Sequence, residues 1–199
     1  MIAVDVEASG IGPDTHSIVS VGAVDMDNPS RQLYEECRVW DGAHINDEAL
    51  AVNGFTREQI TNPTKQTEAQ LVRAFAAFAE LSNDRTLAGQ NVSFDRDILQ
   101  AAAVRAKHTA WPFAHRTIDS HSLAWMHMVK RGLIPPVDPA TNHSALNLAA
   151  PLLYCGIPEE PTPHNALTGA KSHAEVISRL LYDKKLLPEF EQCAIPWQN

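Results

Sequence analysis

Residues 2–10 of the chain read Ile-Ala-Val-Asp-Val-Glu-Ala-Ser-Gly, and they place two carboxylates one residue apart in an apolar run. This alternation is typical of a β-strand, in which side chains two residues apart lie on the same face. We therefore expect Asp5 and Glu7 to project together, opposite the buried side chains of Ile2, Val4 and Val6. Adjacent acids repel each other unless a cation lies between them, and carboxylate oxygens suit Mg²⁺ or Mn²⁺. The stretch predicts a metal site, although an ordinary solvated strand end has the same pattern.

Length and composition favour one domain covering residues 1–199, because 199 residues with 44% hydrophobic content can bury one good core. The three cysteines (Cys37, Cys155 and Cys193) are far apart and odd in number, which excludes a disulfide framework and predicts a reducing cytoplasm. No apolar run approaches the roughly 20 residues that cross a bilayer, so we expect no membrane association. The net charge of −8 argues against a broad electrostatic grip on nucleic acid, but a short strand end could still be held.

The apolar pattern predicts an α/β sheet, since short strands alternate with helices. Strands are expected at residues 2–6, 17–24, 33–39, 85–88 and 116–119. Helices are expected after Thr67, which would cap the first of them, then at residues 95–107, after Ile118, from residue 146 and at residues 165–182. In the helix at residues 95–107, we expect burial of Ile98, Leu99, Ala102 and Val104.

Two further segments contain an acid or a histidine that could act together with the carboxylates of the first strand. Residues 87–99 contain Asp95 at the start of an apolar helical pattern, and His164 stands just before the final helix. In order and spacing, the three segments resemble the exonuclease motifs of the DEDDh family of 3′–5′ exonucleases. The run Val-Asn-Gly-Phe-Thr at residues 52–56 is similar to a loop of the same family. Taken alone, His164 could equally be an exposed loop residue.

The resemblance implies an RNase H-like three-layer domain with a mixed five-stranded sheet flanked by helices. It also implies a metal-dependent enzyme that removes nucleotides from the 3′ ends of short or single-stranded RNA or DNA. Asp5, Glu7 and Asp95 would bind two Mg²⁺ or Mn²⁺ ions and act in catalysis with His164 as the general base. An imidazole suits that role because it can accept a proton near neutral pH.

The resemblance also implies substrate contacts near the metal site. Ala8, Ser9 and Gly10 would contact the terminal sugar and phosphate, and Asn91 would also bind substrate. Phe55 would stack on terminal bases, although a core side chain under its loop is an equally good interpretation. The sequence does not distinguish RNA from DNA, and it leaves a homodimer open because some members of the family are dimers.

One position departs from the family pattern: the acid expected five residues after His164 is replaced by Gly169. Three explanations are open, namely a weakened enzyme that works with Mn²⁺ and a water in the gap, a non-catalytic relative that binds nucleic-acid ends, and an introduced substitution. A metal-free scaffold of the same fold is a further alternative. His173 lies one helical turn beyond Gly169, so its side chain could reach toward the vacant position.

Overall fold

The structure, a computed structural model, is built around a mixed β-sheet and describes residues 1–147 and 149–198. Its strands are β1 (Ile2–Ala8), β2 (Ile18–Asp25), β3 (Gln32–Glu36), β4 (Leu87–Gly89) and β5 (Thr117–Asp119). The spatial order is β3-β2-β1-β4-β5. The first three strands pair antiparallel, whereas β4 runs parallel to both β1 and β5. The predicted α/β class with a mixed five-stranded sheet is confirmed.

Helices cover both faces of this sheet. They are α1 (Asp47–Asn53), α2 (Arg57–Thr61), α3 (Glu68–Glu80), α4 (Val92–Arg105), α5 (Ser120–Lys130), α6 (Ala149–Tyr154) and α7 (Ala166–Tyr182), followed by a 3₁₀ turn at Pro188–Phe190. Phe75 of α3 and Leu99 of α4 pack with Val4 in the core on one face. Ala170 and Ile177 of α7 pack against β1 and β2 on the other. The sheet is therefore the middle of three layers, as predicted.

Strand β1 is the centre of the sheet, and both of its faces are buried. Ile2, Val4 and Val6 are buried as expected, but Ala3 is fully buried and Glu7 is only 9% exposed. The alternation predicted one face open to solvent, whereas α7 covers that face. Because of this cover, the acids of β1 lie inside the protein instead of at a solvated strand end.

The predicted long helices form, with one correction to the residues that they bury. Thr67 caps α3 and shares a capping box with Gln70, as expected from the sequence. Val104 is 71% exposed, so the prediction that it is buried is wrong. The buried stripe of α4 runs through residues 98, 99, 102 and 103, and position 104 turns away from it.

Three short helices differ from the expectation. The sequence pattern predicts neither α1 nor α2, which are only seven and five residues long and flank Gly54. The helix expected from residue 146 begins at Ala149, and Leu148 lies outside the described residues. Pro151 falls in the first turn of α6, where a proline is tolerated because no intrahelical N–H bond is required there, so no kink is needed.

Candidate active site

Carboxylates from two elements line a cavity of about 370 Å³ at the end of β1. Asp5 and Glu7 come from β1, and Asp95 comes from the first turn of α4. His164, which directly precedes the cap of α7, lines the same cavity. The structure therefore brings together the four residues that the sequence indicated as catalytic.

The start of α7 reaches the cavity because Gly22 lets the helix lie directly on β2. A Cβ atom at Gly22 would collide with the backbone of Ala166 and Leu167. The side chain of Asn165 caps α7 by accepting hydrogen bonds from the N–H groups of Leu167 (3.1 Å) and Thr168 (3.2 Å). The start of α7 is thus fixed against the sheet and by its own cap.

His164 is held from the other side by the end of α1. Its backbone N–H donates to the carbonyl of Val52 at 3.1 Å. Gly54, which ends α1 with φ 73°, leaves room for Pro163, since a Cβ there would lie 2.8 Å from the proline Cγ. The half-buried imidazole of His164 is therefore held beside the acids, because the residue before it packs on Gly54 and the residue after it caps α7.

Burial raises the pKa values of the acids in the cavity. The pKa of Asp5 rises to about 7, although the nearby His164 partly opposes the effect. The pKa of Glu7 rises to about 8 because the charges of Asp5 and Glu160 add to the burial. Burial and the charge of Asp5 also raise the pKa of Asp95 well above its usual range. Among the described residues that line the cavity there is no Lys or Arg to neutralise these acids.

These unpaired, buried carboxylates form a donor set that fits a hard divalent cation. As they stand, no three His, Cys, Asp or Glu side chains in the described part of the chain are grouped closely enough to hold a metal ion. Repulsion between like charges keeps unneutralised carboxylates apart, and a cation between them would remove it. The chemistry of Asp5, Glu7 and Asp95 therefore fits Mg²⁺ or Mn²⁺.

The space beside Gly169 is filled by the carboxyl group of Asp5. A Cβ atom at position 169 would lie 2.7 Å from Asp5 Cγ, so any larger residue requires Asp5 to move. The position that carries an acid in the resembling family is thus closed in this chain. This packing also explains why position 169 is a glycine, because a larger residue would displace the Asp5 side chain from its present place.

Two ionisable residues among the described lining of the cavity lie outside the residues predicted as catalytic. Glu160, in the α6–α7 loop (residues 155–165), was missed because it stands in a Pro-rich loop outside every motif. His173 of α7 is only 3% exposed, and Gly89 leaves space for its ring. One hint in the sequence pointed to His173, namely its position one turn beyond Gly169, whereas Glu160 had none.

The predicted substrate contacts divide into two groups. Asn91 lines the cavity and is exposed. Ala8, Ser9 and Gly10 are buried, and the Ser9 hydroxyl donates to the His44 carbonyl (2.7 Å). The same hydroxyl accepts from the N–H of Ser17, and the Ser9 N–H donates to the Ser17 carbonyl. The polar groups of Ser9 already close a turn, and the expected substrate contact of Ala8, Ser9 and Gly10 stays a prediction.

Phe55 also lies away from the residues that line the cavity. Its ring packs against a hydrophobic cluster that includes Val39 and Ile60, and the Lys65 ammonium lies 5.0 Å from the ring centre. Of the two interpretations of Phe55, this position favours the core side chain.

Other acids near the motifs have structural roles. Asp119 caps α5 by accepting from the N–H of His121, and Asp97 pairs with Arg96 on the surface. Glu175 is fully buried and forms an ion pair with Arg179 at 2.7 Å. None of these three residues lines the cavity as the structure describes it.

Comparisons with known proteins agree with this geometry. Residues 2–177 match the RNase_T family model, which is described as an exonuclease. Ribonuclease T of Yersinia pestis is 25% identical, over 77% of this chain and 82% of that protein. No helix among the described residues is both long and apolar enough to span a membrane.

Solved structures with the same fold include E. coli Exonuclease I bound to a dT13 oligonucleotide, with a TM-score of 0.69 and 16% identity over 89% of this chain. The zinc-bound form of the E. coli Exonuclease I complex with single-stranded DNA has a TM-score of 0.67 and 15% identity over 92% of this chain. The chain spans about two fifths of the length of these Exonuclease I chains, namely 40% and 41%.

Proposed function

The chain belongs to this family of DEDD-type 3′–5′ exonucleases, and we propose that it hydrolyses phosphodiester bonds at the 3′ ends of short or single-stranded RNA or DNA with Mg²⁺ or Mn²⁺. The observation that carries the proposal is the convergence of Asp5, Glu7, Asp95 and His164 on one cavity without a Lys or Arg among its described lining residues. A volume of about 370 Å³ is near the lower end of small-ligand sites, roughly 300–1,000 Å³, which suits a strand end.

Each predicted site residue of the cavity would have a role in this reaction. Asp5, Glu7 and Asp95 would hold two cations. When bound, such cations lower the pKa of the attacking water and stabilise charge on the leaving 3′-oxygen. His164 would take the proton of that water as general base, because its ring is fixed beside the acids and half-open to the cavity. Asn91, exposed at the cavity wall, would contact the substrate. Ala8, Ser9 and Gly10, which follow Glu7 along the chain, would contact the terminal sugar and phosphate.

The choice between RNA and DNA stays open in this proposal. The curated relative is a ribonuclease, whereas the structural neighbours hold single-stranded DNA. Contacts to the 2′-hydroxyl would distinguish the two polymers. Both polymers therefore belong in the first experiment.

The test is incubation of 5′-labelled single-stranded RNA and DNA with Mn²⁺, followed by separation of the products by length. We expect a ladder of products shortened from the 3′ end, and an Asp95→Asn variant should be slower by about 100-fold or more, because a ligand of the reacting cations is lost. The matched variant also identifies any contaminating nuclease, whose activity it would not reduce. Intact substrates after single-turnover incubation of the unmodified chain would refute the proposal.

A second function is favoured by one observation, the packing of Asp5 against Gly169. If Asp5 keeps this position, the chain would bind strand ends without cleaving them. Fluorescence anisotropy of a labelled oligonucleotide, measured as the chain is added, distinguishes end binding from cleavage. Tight binding of an intact 3′-hydroxyl strand, with weaker binding of the same strand carrying a 3′-phosphate, would favour the end-binding module, whereas product formation would exclude it.

We further propose that residues 1–199 act as one exonuclease-like domain in the cytoplasm. The family match over residues 2–177 supports the single domain, and three free cysteines support a reducing compartment. Light scattering coupled to size exclusion separates a monomer from a homodimer.

A further inference from the structure

Glu160 is an acid of the cavity that interacts with the backbone of Asn165 but pairs with no Lys or Arg among the described residues. Its side chain is half-buried in the α6–α7 loop, and its Oε1 atom is buried without a hydrogen-bond partner in the described part of the chain. No salt bridge to Lys or Arg within that part involves Glu160. Its charge also acts on Glu7. A carboxylate in this setting is costly unless something positive joins it.

His173 provides a second and independent sign of a ligand at the same place. Its Nδ1 lies 3.2 Å from the carbonyl oxygen of Val4. A carbonyl only accepts hydrogen bonds, so Nδ1 carries the proton and Nε2 of the neutral ring has a free lone pair. Nε2 is buried and has no hydrogen-bond partner among the described residues, although the side chain lines the cavity. Histidines that bind metals are commonly oriented in this way, by a hydrogen bond from the other ring nitrogen.

Position 169 cannot supply the missing ligand, because glycine has no side chain and Asp5 fills the adjacent space. We propose that Glu160 takes the place of the fourth acid as a carboxylate ligand of the divalent cation, with Nε2 of His173 as a nitrogen ligand beside it. This inference rests on the proposed function, since the same cavity would hold the cations. The ligand thus comes from the loop that precedes α7 instead of from the first turn of α7.

A nitrogen ligand has a consequence for the choice of metal. Imidazole suits transition metals, whereas Mg²⁺ prefers oxygen ligands. The site should therefore bind Mn²⁺ more tightly than Mg²⁺, and His173 should carry much of that difference.

The test is calorimetric titration of Mn²⁺ and Mg²⁺ into the metal-free chain and three variants. Glu160→Gln should weaken Mn²⁺ binding by about tenfold or more. Glu159→Gln, which removes a charge from the exposed neighbour in the same loop, should change it less than about twofold. His173→Asn keeps a donor near the Val4 carbonyl and removes Nε2, so it should weaken Mn²⁺ binding about tenfold and Mg²⁺ binding much less.

Melting curves of the metal-free variants accompany the titration, and His173→Gln replaces His173→Asn if the latter does not fold. Equal Mn²⁺ affinity in Glu160→Gln and Glu159→Gln would overturn the inference, as would an absence of Mn²⁺ binding to the unmodified chain. An unmodified chain that binds Mn²⁺ without cleaving any strand would refute only the proposed function. The inference would still be decided by the affinity of Glu160→Gln, so the two failures are distinguishable.

Discussion

Asp5 and Gly169 form the contact that separates this chain from the family pattern. The carboxyl group of Asp5 occupies the space that an acid at position 169 would need. Asp5 is also half-buried, and burial raises its pKa to about 7, so near pH 8 it carries a charge that burial penalises. The residue proposed to bind the cations is thus one that the metal-free fold holds at a cost.

Replacing Asp5 with Asn should therefore stabilise the metal-free protein while abolishing cleavage. At pH 8 in a chelator, we expect the Tm of Asp5→Asn to rise by about 2 °C or more, because a buried, uncompensated charge is removed. Asp97→Asn is the matched control, since Asp97 is exposed and paired with Arg96. A lower Tm for Asp5→Asn in differential scanning calorimetry would contradict this account of the cavity.

Gly169→Ala isolates the contact with Asp5. Alanine favours the helix by about 1 kcal/mol, so stability should not fall sharply, but its Cβ must displace Asp5. We expect cleavage in the assay with labelled strands to slow by about tenfold or more. Thr168→Ala, the preceding position on α7, should leave the rate unchanged. Equal rates in the two variants would show that the position of Asp5 does not matter for the reaction.

Residues differ in how far the sequence predicts them. The sequence was sufficient to identify Asp5, Glu7, Asp95 and His164, because these residues lie in three motifs whose order and spacing resemble those of the family. The internal hydrogen bonds of the Ser9 hydroxyl could not be predicted, because they join it to the distant His44 and to Ser17. The resemblance to the DEDD-type exonucleases and the RNase H-like fold are confirmed, while the catalytic roles stay predictions.

The start of α7 is the element that positions His164 at the cavity. Gly22 admits the helix to the face of β2, Asn165 caps it, and His164 precedes that cap. Strands and long helices were predictable from their apolar periods, including α3 with its Thr67 cap. The path of the α6–α7 loop was not, because it depends on contacts with Val52 and Gly54 that no local pattern encodes.

Asn165→Ala should weaken both stability and catalysis through this element. Loss of the cap should lower the free energy of unfolding by about 1 kcal/mol, and a less fixed His164 should lower kcat. Urea denaturation and the strand-shortening assay measure the two effects. Asn165→Ser keeps a capping oxygen and should restore most of both. A serine variant as impaired as the alanine variant would mean that the cap is not the cause.

At the scale of the whole molecule, cation binding should stabilise the fold. A ligand at 100 times its Kd adds about 2.7 kcal/mol, which corresponds to a rise in Tm of about 5–10 °C for a chain of this length. We expect Mn²⁺ to produce a rise of this order and a chelator to reverse it. Asp95→Asn should show a much smaller rise. An unchanged Tm at saturating Mn²⁺ would argue against a cation site in the cavity.

The acidic character of the molecule has a kinetic consequence. A chain of net charge −8, with no Lys or Arg among the described residues that line its cavity, does not attract a polyanion from a distance. Most nucleic-acid-binding proteins lose affinity steeply as ionic strength rises, because their cations release counterions from the phosphates. Here added monovalent ions would mainly screen repulsion. At saturating Mn²⁺, the rate constant for association with a strand should therefore be nearly independent of ionic strength or should rise with it. This behaviour would favour short fragments over long polymers, because a long polymer carries more repelling phosphates.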